Sequence, residues 1–184
     1  MAVPVWLLDI DGVINAVTDD PDLRVWPRGQ WVRASAASAH GIEWPLLAAR
    51  PVLDFLRRVH DEGRAEIRWH STWQSYAVNV GVALGLPDWP VAECPEFAES
   101  DDTEIASPLI VVRHHWWKLP TAQRVIDGGR PLLWTDDDAR HQLRAQDRAG
   151  WDAWALVVAP PVESGLTPRQ LRRIDTWLTE RESW

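Results

Sequence analysis

Residues 3 to 10, VPVWLLDI, form one unbroken apolar run that ends in an acid, with Asp11 and Gly12 directly after it. A strand without polar alternation must be covered on both faces, so this run reads as a buried parallel strand. The rest of the chain keeps to that plan. AEIRW at 65–69, PLIVV at 108–112, PLLW at 131–134 and WALVVA at 154–159 are further strand candidates. Helical patterns separate them. One starts at Pro51, carries Val52, Leu53, Phe55, Leu56 and Val59 on one face, and stops at Gly63. Others are expected over 73–84, from Leu119 with Pro120 in the first turn, and over 138–148. A last helix takes Thr167 as N-cap and Pro168 at its first position, with Leu171, Ile174 and Leu178 as its apolar face. Strands alternating with helices predict an α/β fold of three Rossmann-like layers, with a mainly parallel sheet of about five strands and helices on both sides.

The 184 residues fit a single domain over 1–184, and a chain of this length buries roughly 70% of its unfolded surface. Residues 13–50 interrupt the alternation with DDPD, WPRGQW and SAASAHG, and read as a small insertion or lid with a hairpin around Val25 to Val32. A hydrophobic share of 46% and a charged share of 25% argue against disorder. The net charge of −8 gives no general attraction to nucleic acid or anionic membrane. The start MAVPVWLLDIDG has neither a basic leader nor a membrane-length apolar stretch. Cys94 is the single cysteine, so no internal disulfide framework is expected, and a reducing, cytoplasmic setting fits. Fourteen tryptophans are expected mostly in or beside the core.

In a parallel sheet, sites gather at the carboxyl ends of strands. Here those ends read DID, HST, RHHWWK and TDDD. Asp9 and Asp11 at a strand end repel each other unless a proton or cation relieves them. Asp136, Asp137 and Asp138 form a second acidic cluster. Asp138 is assigned to helix capping, and Asp136 and Asp137 to an all-oxygen metal site of the kind Mg²⁺ prefers. Ser71 and Thr72 supply hydroxyls after the second strand, Ser71 toward a phosphate oxygen and Thr72 as a helix cap. Lys118 is the only lysine beside eighteen arginines. A compact ammonium fits between crowded anions where a planar guanidinium does not.

LLDIDGV, HST, the lysine of HHWWKLP and WTDDD occur in the order of the four motifs of the haloacid dehalogenase superfamily, and the chain resembles that superfamily over Asp9 to Asp137. DGVIN, STW, WKLP and WTDDDAR further resemble small domains attached to RNA-repair proteins. The resemblance implies a Mg²⁺-dependent phosphatase acting on a phosphomonoester, with a polynucleotide end among the candidate substrates. Asp9 would be the nucleophile and Asp11 the general acid and base. Ser71 or Thr72 would bind the phosphoryl group and Lys118 would balance its charge. Mg²⁺ would sit between Asp9, the Asp11 backbone carbonyl and Asp136, with Asp137 beside it. The insertion at 13–50 is too short for a full helical cap, so a nearly capless, open site for a bulky substrate is expected.

A catalytically silent binding module of the same fold is the alternative. A phospho-accepting receiver domain fits poorly, because two acids follow Lys118 and no Asp ends the second or third strand. Arg24, Arg28 and Arg33, interleaved with Trp26 and Trp31, read either as a lid that grips phosphates and stacks a base or as a solvated hairpin with packed tryptophans. His70, His114 and His115 flank the motifs and are assigned to packing or hydrogen bonding, not to metal binding.

Overall fold

A computed structural model of the chain describes residues 2–92, 117–144, 151 and 153–182. The strand expected at 108–112, His114, His115 and Cys94 lie outside these residues, as does the end of the helix expected over 138–148. The strands are β1 (Val5–Leu8), β2 (Trp31–Ala37), β3 (Glu43–Ala49), β4 (Glu66–Trp69), β5 (Leu132–Thr135) and β6 (Ala155–Val158). The α-helices are α1 (Arg50–Asp61), α2 (Ala77–Leu84), α3 (Lys118–Asp127), α4 (Ala139–Arg144) and α5 (Pro168–Glu182).

The main sheet runs β4-β1-β5-β6 with every pair parallel. Strand alternation divides it between two cores. Trp6 and Leu8 of β1 pack with Leu53 and Leu56 of α1 and with Ile174 and Leu178 of α5. Val5 and Leu7 pack on the opposite side with Ala122 and Val125 of α3 and Leu143 of α4. Helices thus cover both faces of a four-stranded parallel sheet. Each fully buried Leu or Val contributes about 1.5–3 kcal/mol relative to leaving it exposed, so the unbroken apolar runs are what select this layering.

Local signals place the helices. All five residues of the predicted α1 face are buried, and the helix ends at Asp61 with Glu62 as C-cap, just before Gly63, whose φ is +64°. Thr167 and Gln170 form a reciprocal capping box at the start of α5. The Thr167 amide donates to Gln170 Oε1 (2.9 Å) and the Gln170 amide to Thr167 Oγ1 (3.4 Å).

The hairpin of the insertion lies later than Val25–Val32. It pairs β2 with β3 in antiparallel register, Ala34 opposite Leu46 and Ala36 opposite Trp44. Small residues have weak strand preference, but here they let α2 approach β2 closely. Asn79 of α2 donates to the Ala37 carbonyl (2.8 Å). Packing against a neighbour overrides propensity. Before β2 the chain turns at Asp22 and Pro27. Trp26 is buried, its indole N–H donating to the Leu166 carbonyl (3.0 Å), and Trp31 donates to the Trp26 carbonyl (2.9 Å). Among the described residues no helix is long and apolar enough to cross a membrane.

Candidate active site

β1 lies inside the sheet, with β4 on one side and β5 on the other. The chain moves outward from β1 in both directions, so its carboxyl end is the topological switch point where open α/β sheets place ligands. Register does the rest. Leu8 is level with Trp69 and with Thr135, and the ladder continues one step on each side. The Asp9 amide donates to the Thr135 carbonyl (3.0 Å) and the His70 amide to the Leu8 carbonyl (2.8 Å). Asp9, His70 and Asp136 therefore leave three neighbouring strand tips at the same level, and Ser71 follows one residue further on.

Lys118, the first residue of α3, closes the group. It is 3% exposed, its Nζ contacts Asp9 Oδ2 and donates to Asp136 Oδ2 at 2.8 Å. Carboxylate oxygens of Asp9, Asp136 and Asp137 all lie within 4.8 Å of one another. Asp136 is fully buried, and its Oδ1 accepts the Asp138 amide (2.9 Å). Asp138 precedes α4, and its carbonyl accepts the His141 amide (2.9 Å). Gly12 makes room for this cluster. Its φ is +71°, and a Cβ there would stand 2.6 Å from Asp137 Cγ.

The charges do not balance. Three carboxylates face one ammonium. Burial raises the Asp9 carboxyl to about 7, with Asp136 adding repulsion and Lys118 opposing the rise. Burial, then Asp136 and Asp138, raise Asp137 to about 6. Burial pulls the Lys118 ammonium down, but Asp9 and Asp136 more than offset that and hold it above its ordinary value. Lys118 stays charged, and the acids share the strain of two surplus negative charges. An all-oxygen donor set with surplus negative charge fits a hard divalent cation such as Mg²⁺.

The Asp11 carboxylate lies outside that trio. It is half-buried, with Oδ1 accepting from Asn15 Nδ2 (2.7 Å) and Oδ2 from the Trp73 indole (2.8 Å). Asn15 Oδ1 in turn accepts the Leu47 amide of β3 (2.8 Å). Beyond Asp11 opens a cleft of about 740 Å³ between the loop after β1, the β2–β3 hairpin and the loop after β4. Thr72 is exposed and lines it, whereas Ser71 is buried and its Oγ accepts the Trp73 amide (3.4 Å). Thr72 does not cap the next helix, which begins at Ala77 with Tyr76 in the cap position.

His70 is fully buried between Trp117 and Trp134, with ring centroids 4.7 and 6.1 Å away. Neither ring nitrogen has a hydrogen-bond partner among the described residues. Burial, then Lys118 and Arg124, hold its pKa well below the ordinary histidine range. It is a packing residue. Of the interleaved residues in the insertion, Trp26 and Trp31 are packed, Arg24 is paired with Asp22 (2.9 Å) and Arg28 is exposed away from the cleft lining, which leaves Arg33 on the cleft. The expectations gave no role to Asn15, Trp73 or Trp44. The first two lie inside DGVIN and STW, whereas nothing in the pattern around Trp44 marks it. Comparison with protein-family models, with curated proteins and with solved structures returned no match.

Proposed function

We propose that the chain is a Mg²⁺-dependent phosphatase of the haloacid dehalogenase type that hydrolyses a phosphomonoester. The observation that carries this reading is the single lysine bridging Asp9 and Asp136, with Asp137 completing a buried trio of acids. The order β4-β1-β5-β6 and the acid-tipped central strand are compatible with that fold.

Asp9 is the nucleophile. One of its oxygens forms a bond to phosphorus as the bond to the leaving oxygen breaks, and Asp11 delivers a proton to that oxygen. The product is an aspartyl-phosphate on Asp9 and a free alcohol. Asp11 then takes a proton from water, whose oxygen attacks phosphorus and releases Asp9 and inorganic phosphate. Lys118 holds Asp9 in place and offsets charge on the phosphoryl oxygens. Asn15 and Trp73 orient Asp11 without competing for its proton, since neither N–H group accepts one. Ser71 or Thr72 donates a hydroxyl to the phosphoryl group. Mg²⁺ held by Asp9, Asp136 and Asp137 would supply the positive charge the three acids lack. A cytoplasmic setting belongs to the same reading. So does a bulky substrate such as a nucleic-acid end, because the cleft beside Asp11 is open.

Hydrolysis of p-nitrophenyl phosphate tests the reading. Activity that needs Mg²⁺, stops with chelator and is abolished in Asp9→Asn is expected. No turnover on any of a panel of phosphoesters would favour the binding-module alternative.

A further inference from the structure

We infer that the cleft beside Asp11 is a leaving-group subsite for a single-stranded oligonucleotide end, with Trp44 stacking a base and Arg33 pairing with a phosphodiester. The inference rests on the phosphatase reading and specifies its substrate. Four observations carry it.

The cleft is far larger than a phosphoryl group needs, and its volume of about 740 Å³ is that of a site for a sizeable ligand. Trp44 lines it with 52% of its surface exposed, while Trp6, Trp69, Trp89 and Trp134 are buried. The indole edge of Trp44 is fixed, because Nε1–H donates to Ser38 Oγ at 2.9 Å. A pinned ring with uncovered surface is a stacking platform that loses little freedom on binding. Arg33 lines the same cleft, is exposed, and forms no hydrogen bond or ion pair among the described residues. Its fork of donors suits a phosphate.

The hairpin register decides between ligand classes. Arg33 lies opposite Leu47, whereas Trp44 lies opposite Ala36, so strand alternation gives the two residues to different faces of the hairpin. A ligand that meets both must bend around it. A phosphodiester chain, which bends at every nucleotide, can present a base to one face and a phosphate to the other. Asp11 and Asp19 also line the cleft. A leaving group whose charge falls beside those acids meets repulsion, whereas one that presents a ring and sugar hydroxyls there and sets a phosphodiester against Arg33 avoids it.

The test uses the full chain with two substrates, a 5′- or 3′-phosphorylated trinucleotide and acetyl phosphate, which has neither ring nor second phosphate. Wild type should prefer the trinucleotide. Trp44→Ala and Arg33→Ala should each raise its KM about tenfold, with kcat/KM on acetyl phosphate within about twofold of wild type and Trp44→Phe close to wild type on both. An unchanged trinucleotide KM in both alanine variants, or a wild type that prefers acetyl phosphate, overturns the inference. Fluorescence anisotropy of a dye-labelled phosphorylated trinucleotide separates this failure from that of the phosphatase reading. Binding weakened by Trp44→Ala without hydrolysis of either substrate leaves the subsite standing and removes the enzyme. Absence of binding by wild type removes the subsite, whatever the hydrolysis of acetyl phosphate shows.

Discussion

Replacing Lys118 with methionine keeps most of the side-chain volume and removes the cation that contacts Asp9 and Asp136. The magnitude follows from the spacing. Opposite unit charges 2.8 Å apart, as Lys118 Nζ and Asp136 Oδ2 are, attract by roughly 6 kcal/mol at an effective dielectric constant of about 20. Desolvation of the ions offsets part of this, and loss of one partner from a buried cluster costs about 3–5 kcal/mol. For a chain of 184 residues that corresponds to a Tm lower by on the order of 10 °C. The deficit has a definite pH dependence. Burial, with Asp136, already raises Asp9 to about 7 against the opposing pull of Lys118, and without that pull it titrates higher still. An acid raised in the folded state binds its proton before the unfolded chain does, so folding is favoured as pH falls through that range. The variant should therefore recover much of its deficit between pH 8 and pH 5. Thermal unfolding in chelator at both pH values measures this. A Tm within about 2 °C of wild type at pH 8, or a deficit equal at both pH values, refutes the assignment of Lys118 as counter-charge. Lys118→Arg, which keeps the charge in a planar group, should stay folded and lose most hydrolysis; wild-type rates would show that the ammonium has no special fit.

Mg²⁺ binds only ionised carboxylates, and Asp9 and Asp137, at about 7 and about 6 for reasons of burial and crowding, hold protons below those values. Binding should release protons and tighten as pH rises from 5 to 8, measured by calorimetry in buffers of different ionisation enthalpy; affinity flat over that range contradicts the trio as ligands. His70→Phe should stabilise the fold by about 1–2 kcal/mol in urea unfolding, because it removes two buried ring nitrogens without partners among the described residues; a destabilised variant would mean the imidazole is bonded. Gly12→Ala should cost about 2 kcal/mol from its backbone conformation alone, and crowding of Asp137 should weaken the Mg²⁺-dependent rise in Tm; an unchanged response contradicts the close approach.

The site was legible in the sequence where it depends on local pattern and strand register. DID and TDDD each follow an apolar run, and parallel pairing of adjacent strands carries Asp9 and Asp136 together with no further information. Lys118 stood out by its rarity, although only the fold shows that its helix starts beside both strand tips. The hairpin was misplaced because Ala34, Ser35 and Ala36 become a strand only through α2 packed on them. Trp26 and Trp31 look like a stacking pair in sequence, yet their indole N–H groups are spent on carbonyls at Leu166 and within their own turn. Trp44 carried no signal because exposure of a tryptophan is a property of the assembled surface.

The Asn15 amide serves two masters. Its nitrogen holds Asp11 and its oxygen holds the Leu47 backbone in β3, so the strand beside the cleft and the carboxylate proposed above as the proton carrier share one rigid planar link. If Asp11 carries the proton as proposed, a displacement of the hairpin by a poorly fitting ligand would pass through that plane to it, and misalignment by about 1 Å is enough to cost two orders of magnitude in rate. On that reading, discrimination among substrates would be exerted on the speed of the reaction and not just on how tightly the ligand is held.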